Sequence, residues 1–229
     1  FFPLDWKLPS LAWAADRWTV KLPLSCEGGG DGSATPCEVL DVQVLRYRPH
    51  YRCVLRYTLE QADGNRSREV IGKVYPQGPK AGQVWQNLVS LHPQGSSSGI
   101  TIPEPLGVVD GRNLLLMERV GGLGMKQVLA GAGDQAQALE ATRLAARVLA
   151  ALHSLRFESQ ERRSLASDLE NLRKRAARLS LVAPHLAQRF DTILNQLAPL
   201  VARSPFESLS FIHGDYKPSQ LLLDNGRVA

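Results

Sequence analysis

The sequence predicts an α+β fold, with a small antiparallel β lobe followed by a mainly helical lobe. Three observations carry this. Between residues 40 and 75, apolar and polar residues alternate with a period of two, the pattern of half-buried strands. From about residue 140, apolar residues recur every three or four positions, the stripe of amphipathic helices. Near the end, Phe211-Ile212-His213-Gly214-Asp215-Tyr216-Lys217-Pro218-Ser219-Gln220-Leu221-Leu222-Leu223 reads as strand, polar loop, strand. Loops that hold several ionisable residues between buried strands are where chemistry concentrates.

The elements follow in order. Residues 1–38 read as an irregular segment, with Pro3, Pro9, Pro23 and Pro36. The run Gly28 to Ser33 lacks the Gly-Lys-Ser/Thr of a P-loop and reads as a surface loop. Leu40, Val42 and Val44 alternate with Asp41 and Gln43; Tyr51, Cys53, Leu55, Tyr57 and Leu59 alternate with polar residues. Arg48-Pro49-His50 lies at the bend between these two strands, Ala62 to Asn65 is a second turn, and Glu69 to Tyr75 is a third strand. Together they make an antiparallel meander. Lys80 to His92 reads as a helix, Asp110 to Asn113 as a hairpin turn, and Leu114 to Met117 as a fifth strand, giving β-β-β-α-β-β over residues 39–118.

Gly121-Gly122-Leu123-Gly124 then breaks the chain, and helices dominate. Their apolar stripes are Leu144, Val148, Ala151, Leu152 and Leu155; Leu165, Leu169, Leu172, Ala176 and Leu179; and Leu186, Phe190, Ile193, Leu197 and Val201. Pro184 suits the first turn of the last helix. The expected organisation is a segment over 1–38, a nucleotide-binding β lobe over 39–120 and a helical lobe over 121–229. A cleft between two such lobes is a common place for a ligand.

A hydrophobic content of 44% and a charged content of 21% are ordinary for a globular protein. The net charge of +5 is compatible with an anionic ligand, a nucleotide or a nucleic acid. The arginines are spread along helices and read as solvated faces. Cys26, Cys37 and Cys53 form no C-x-x-C pair and are expected as reduced thiols in a cytoplasm, with a Cys26–Cys37 disulfide as the alternative. No apolar run approaches the roughly 18 residues of a membrane span. Asp5, Lys7, Asp16 and Arg17 interrupt any secretory leader in the first eighteen positions. The missing initiator Met and the ending inside a strand lead us to expect a fragment cut at both ends, lacking activity of its own.

Phosphoryl transfer asks a protein for clamped phosphates, a held metal and an aligned acceptor hydroxyl. Lys73, in the third strand, suits the clamp. Asp215, after a short strand and before Pro218, suits the residue that orients and deprotonates a hydroxyl. His213 reads as an anchor of the loop, and Lys217 as a group that neutralises the transferring phosphate or is simply solvated.

His213-Gly214-Asp215-x-Lys217-Pro218-x-x-Leu221 resembles the H-G-D-x-x-P-x-N loop of the aminoglycoside phosphotransferases and related small-molecule kinases. Ile71-Gly72-Lys73 is similar to that family's lysine strand, and Leu114 to Gly122 to its hinge. The likeness covers roughly residues 39–229. It implies a protein-kinase-like two-lobed fold, ATP and Mg²⁺ as cofactors, and a small-molecule hydroxyl as acceptor. It places Lys73 on the nucleotide phosphates, Met117, Glu118 and Val120 at the adenine, Asp215 as the base, and Gln220 at the metal. Neither a nucleic acid nor a membrane is an expected partner, and no oligomeric state follows.

Four departures from the family pattern stand out. Gln220 replaces the metal-binding Asn. Helix 80–92 has no Glu to pair with Lys73, only Gln83 and Gln86. The first hairpin has Arg48, Pro49, His50, Tyr51 and Arg52 where the family has a glycine-rich loop, so Arg48 and Arg52 are the phosphate contacts expected there. The second metal-binding Asp would lie beyond residue 229, and Asp224 is a turn residue. These departures keep a second reading open, a nucleotide-binding pseudokinase. A third, a nucleic-acid binder using Arg162, Arg163, Arg173, Lys174, Arg175 and Arg178, competes with a plain solvated helix face.

Overall fold

The structure, a computed structural model, describes residues 2–26, 35–60, 67–131, 135–156, 164–203, 211–224 and 227–228. The expected turn at Ala62 to Asn65, the glycine run from Gly28, and Arg162 and Arg163 lie outside the described residues.

In chain order the elements are α1 (Leu11–Ala14), β1 (Ser25–Cys26), β2 (Thr35–Pro36), β3 (Val39–Arg48), β4 (Arg52–Glu60), β5 (Ser67–Val74), α2 (Lys80–Ser97), β6 (Pro105–Val109), β7 (Leu114–Glu118), β8 (Leu123–Gly124), α3 (Met125–Gly131), α4 (Gln135–His153), α5 (Leu165–Leu179), α6 (Pro184–Ala202), a 3₁₀ turn (Pro218–Gln220), β9 (Leu222–Asp224) and β10 (Arg227–Val228). They fall into two compact units, residues 1–157 with 212–229, and residues 158–211.

In the first unit, β3-β4-β5-β7-β6 form one antiparallel sheet, the expected meander extended by the expected hairpin. The alternation seen in the sequence divides its faces. Cys53, Leu55, Tyr57, Leu59, Val70, Val74, Leu114 and Leu116 are buried on one face. Leu8, Leu11, Ala14, Val20 and Leu22 complete that core, so residues 8–22 form its roof. Burying each such leucine is worth roughly 2 kcal/mol. Tyr57 donates its hydroxyl to the Ala14 carbonyl at 2.9 Å, which satisfies its only polar atom inside the core. Gly72 lies across from Leu55 on this face, where only a residue without Cβ leaves room for the Tyr57 ring.

The opposite face carries Lys73 between Val54 and Leu115, with Val108 beyond. Helix α2 packs on it through Ala81, Val84, Trp85 and Leu88, against Tyr75, Leu115 and Val108. This helix runs five residues past the expected end at His92, through Pro93. A proline removes one helical donor; the stop signal here is Gly99 at φ +70°, just past the capped Ser98.

The stretch Gly121 to Gly124 is more than a break. Leu123 and Gly124 pair with Leu223 and Leu222, so β8, β9 and β10 form a second small sheet. Helix α4 buries Ala141, Ala145 and Leu152; of the expected stripe, Leu152 is buried, Leu144 and Val148 pack alongside, and Ala141 and Ala145 stand outside it. The cysteine expectation needs correction. Cys53 is free and buried, but Cys37 is disulfide-bonded. The β1–β2 pairing, with Cys26 opposite Thr35, brings these segments of backbone side by side, while the Cys26 side chain lies outside the described residues.

The second unit is a pair of packed helices. Helix α5 begins with a capping box between Ser164 and Ser167 and buries Ala176, with Leu169, Leu172 and Leu179 partly buried; Leu165, the first residue of the expected stripe, is exposed. Its Lys174 pairs with Glu170 at 2.7 Å, and Arg173, Arg175 and Arg178 are exposed, a solvated face. In α6 the buried positions are Ala187 and Leu194, whereas the expected Leu186, Ile193 and Leu197 are exposed. Ala187 and Leu194 are seven residues apart, as are Leu186 and Ile193, so spacing alone does not choose between the two faces.

Candidate active site

The polar loop is pinned at several points to the first unit. Gly214 takes φ +76°, a left-handed turn open to glycine, which reverses the chain just before Asp215. The Asp215 N–H donates to His213 Nδ1 at 3.3 Å, a contact within the loop itself. Burial lowers the His213 pKa, and the Asp215 charge opposes that shift. Tyr216 donates to the Ala145 carbonyl in α4 at 2.6 Å and meets the His213 ring edge-on at 5.7 Å. Leu221 is buried beside Met125, Ala141 and Ala145, and its carbonyl accepts the Met125 N–H at 3.0 Å.

This anchoring leaves Asp215 exposed. Lys217 Nζ donates to Oδ1 at 2.7 Å and Gln220 Nε2 donates to Oδ2 at 3.0 Å. The Lys217 bond, aided by Gln220 and opposed by slight desolvation, holds the carboxyl below the usual carboxylate range. Lys217 is therefore ion-paired to Asp215. Gln220, the expected metal ligand, turns its amide nitrogen toward Asp215.

The second group lies on the sheet face under α2. Lys73 is half-buried there, and burial together with the nearby Arg52 charge pushes its pKa down to about 8. Arg48 pairs with Arg52 across the β3–β4 hairpin, and Arg46 pairs with Val54, so cross-strand geometry puts all three arginines on the Lys73 face. Arg48 stacks on the Tyr51 ring at 4.6 Å, and the Arg52 charge offsets part of the rise that burial gives the Tyr75 pKa. Among the described residues, none of Lys73, Arg46, Arg48 or Arg52 has an ion-pair partner. Further along the same face the arginines have an acidic partner: Arg56 meets Glu69 at 3.2 Å, and Arg119 also pairs with Glu69.

Gln83 and Gln86 make no hydrogen bond to Lys73 among the described residues. At the expected hinge, Met117 is buried. The Glu118 N–H already donates to Glu104 O at 2.8 Å, and the Glu118 carboxylate accepts the Glu104 N–H at 3.1 Å. Val120, just past β7, keeps its backbone outside the sheet ladder.

A model of the phosphotransferase enzyme family matches residues 56–229. The chain belongs to that family. Among solved structures, it is similar to the gentamicin complex of APH(2")-IIa, with 14% identity over 83% of this chain and 63% of that one, at a TM-score of 0.52. It is also similar to the streptomycin–ATP ternary complex of APH(2")-IIa, with 14% identity over 83% of this chain and 64% of that one, at a TM-score of 0.50. No curated protein matches the chain by sequence. The fold is that of the kinase-like aminoglycoside phosphotransferases, and the chain spans less than two thirds of the length of these structures.

Sequence reasoning missed three residues in this family member. Arg46 shares the period-two pattern of Arg48 and needed only the cross-strand register to place it. Tyr216 occupies a variable position of the loop motif, yet ties it to α4. Asp5 lies outside the family match altogether.

Proposed function

We propose that the full protein transfers the γ-phosphoryl group of ATP to a hydroxyl of a small molecule: an amino sugar, a sugar or an amino alcohol. The observation that carries this is Asp215, an exposed, ionised carboxylate on a pinned loop with Lys217 at 2.7 Å. A docked hydroxyl would donate to the Asp215 carboxylate. As its oxygen bonds the γ-phosphorus, the bond from that phosphorus to the β–γ bridging oxygen breaks and ADP leaves with the electron pair. The hydroxyl proton passes to Asp215. Lys217, held beside that carboxylate, offsets the charge on the phosphoryl oxygens.

Lys73, Arg46, Arg48 and Arg52, without ion-pair partners among the described residues, fit a polyphosphate. ATP accompanies one of the similar structures, which supports the same nucleotide here. Backbone groups between Met117 and Val120 would meet adenine, with Val120 better suited than the occupied Glu118 N–H. Mg²⁺, when bound, supplies charge neutralisation between the phosphates. Among the described residues, no three His, Cys, Asp or Glu side chains converge on a metal site; Asp215 and the Gln220 carbonyl are the groups that would hold the ion. The division into lobes at 39–120 and 121–229 belongs to this proposal.

No helix among the described residues is long and apolar enough to cross a membrane. We place the protein in the cytoplasm with its ATP supply, a placement that the Cys37 disulfide argues against. Counting reactive thiols in protein isolated without oxidant tests it.

The activity test is full-length protein with ATP and a panel of amino sugars, sugars and amino alcohols. Asp215→Ala should lower turnover by about a hundredfold or more; unchanged turnover overturns the assignment. Among the described residues Lys73 has no carboxylate partner, which favours one second reading, a pseudokinase, for which binding of an ATP analogue would ignore Mg²⁺ and no acceptor would turn over.

A further inference from the structure

Asp5 is 3% exposed, yet it is ionised and fully engaged. Its Oδ1 accepts the Lys7 N–H at 3.0 Å and faces His50 Nδ1 at 2.9 Å. Its Oδ2 accepts the His50 N–H at 2.7 Å and the Tyr47 hydroxyl at 2.9 Å. Burial by itself would raise the Asp5 pKa; the bonds from His50, Tyr47 and Lys7 outweigh it and hold the carboxyl well below the usual range.

The partners decide what this carboxylate does. Tyr47 and His50 flank Arg48-Pro49, the tip of the β3–β4 hairpin, and Arg52 follows two residues after His50. His50 adopts φ +62°, unfavourable for a residue with a Cβ, and Asp5 binds both its N–H and its ring. Tyr47 pairs with Cys53 on the roofed face, so its bond to Asp5 secures the strand from behind. Arg48 and Arg52 consequently project from the other face, where Lys73 stands. Asp5 itself lies outside the stretch that matches the family, residues 56–229.

We propose that Asp5 is a positioning residue for nucleotide binding: through Tyr47 and His50 it fixes the β3–β4 tip, so that Arg48 and Arg52 are held ready for the nucleotide phosphates. The inference rests on the phosphotransferase reading above. A tip fixed from behind does the work of covering the phosphates without glycine-rich flexibility, and part of the ordering cost of binding is met in advance.

The test uses full-length wild type, Asp5→Asn, Asp5→Glu and Tyr47→Phe, with a fluorescent ATP analogue for affinity and steady-state kinetics for both substrates. Asp5→Asn should weaken nucleotide affinity and raise the ATP KM about tenfold, with kcat and acceptor KM within about twofold. Tyr47→Phe, which deletes one of the four bonds, should give a smaller rise of the same kind. Asp5→Glu should recover part of the loss. Nucleotide affinity unchanged in both Asp5→Asn and Tyr47→Phe overturns the proposal while leaving the phosphotransferase reading intact. So does a parallel fall of kcat and both affinities that tracks melting temperature. If wild type binds no nucleotide, both readings fall together.

Discussion

Tyr216 donates its hydroxyl to the Ala145 carbonyl, 71 positions earlier in the chain, at 2.6 Å. This bond, with the buried Leu221, fixes the Asp215 loop to helix α4. Tyr216→Phe keeps the ring and deletes the bond. A buried hydrogen bond contributes about 1 kcal/mol. The variant should melt a few degrees lower and lose turnover without change in nucleotide affinity, as thermal denaturation and a nucleotide titration will read.

Lys73 is a half-buried ammonium without a carboxylate partner among the described residues, its pKa lowered to about 8. Lys73→Met should abolish nucleotide binding yet stabilise the fold at pH 7 by about 2 kcal/mol. The sign of the pH dependence is set by protons. Between about pH 8 and the ordinary lysine value of 10.5, the unfolded chain holds a proton that the folded chain has released. Wild-type stability therefore rises with pH across that window, and the advantage of Lys73→Met shrinks. Denaturant melts of both proteins at pH 7, 9 and 10.5 check this.

The Asp215 carboxyl is held below its usual range first by the Lys217 bond. In the pH profile of kcat/KM, the acidic limb should lie below the ordinary carboxylate value. Lys217→Met should shift that limb upward while lowering the plateau. A limb that stays in place would assign it to another group.

Gly72 sits beneath the Tyr57 ring, and a Cβ there would overlap Tyr57 Cε2. Tyr57 is fully buried and tied to Ala14, so it has little room to yield. Gly72→Ala should cost about 1–3 kcal/mol, read as a lower denaturant midpoint with an unchanged slope. A paired Tyr57→Phe should relieve little, because the ring remains.

The sheet was legible because its strands bury alternate residues, and Cys53-x-Leu55-x-Tyr57-x-Leu59 shows that period directly. The loop was legible because His213, Gly214, Asp215 and Pro218 are dictated by local backbone and chemistry. The roof was hidden. Leu8, Leu11, Ala14, Val20 and Leu22 follow no sustained helical or strand period, since a short helix and irregular chain present them. Asp5 was invisible for the same reason: its role is defined by Tyr47 and His50, more than forty positions away. In α6 the pairs Leu186/Ile193 and Ala187/Leu194 have equal spacing on adjacent faces, and the period alone cannot say which face meets α5. The cysteine expectation rested on spacing alone, which carries no information about the β1–β2 pairing.

The recognisable family portion opens at residue 56, in the middle of β4. A protein trimmed to that boundary would forfeit β3, the hairpin tip and every leucine that shields the back of the sheet. Its Tyr57, Leu59, Val70 and Leu116 would meet water as a bare, self-adhesive slab with an unpaired strand at its margin. Such a product should precipitate or clump, so a failed assay on it would say nothing about catalysis.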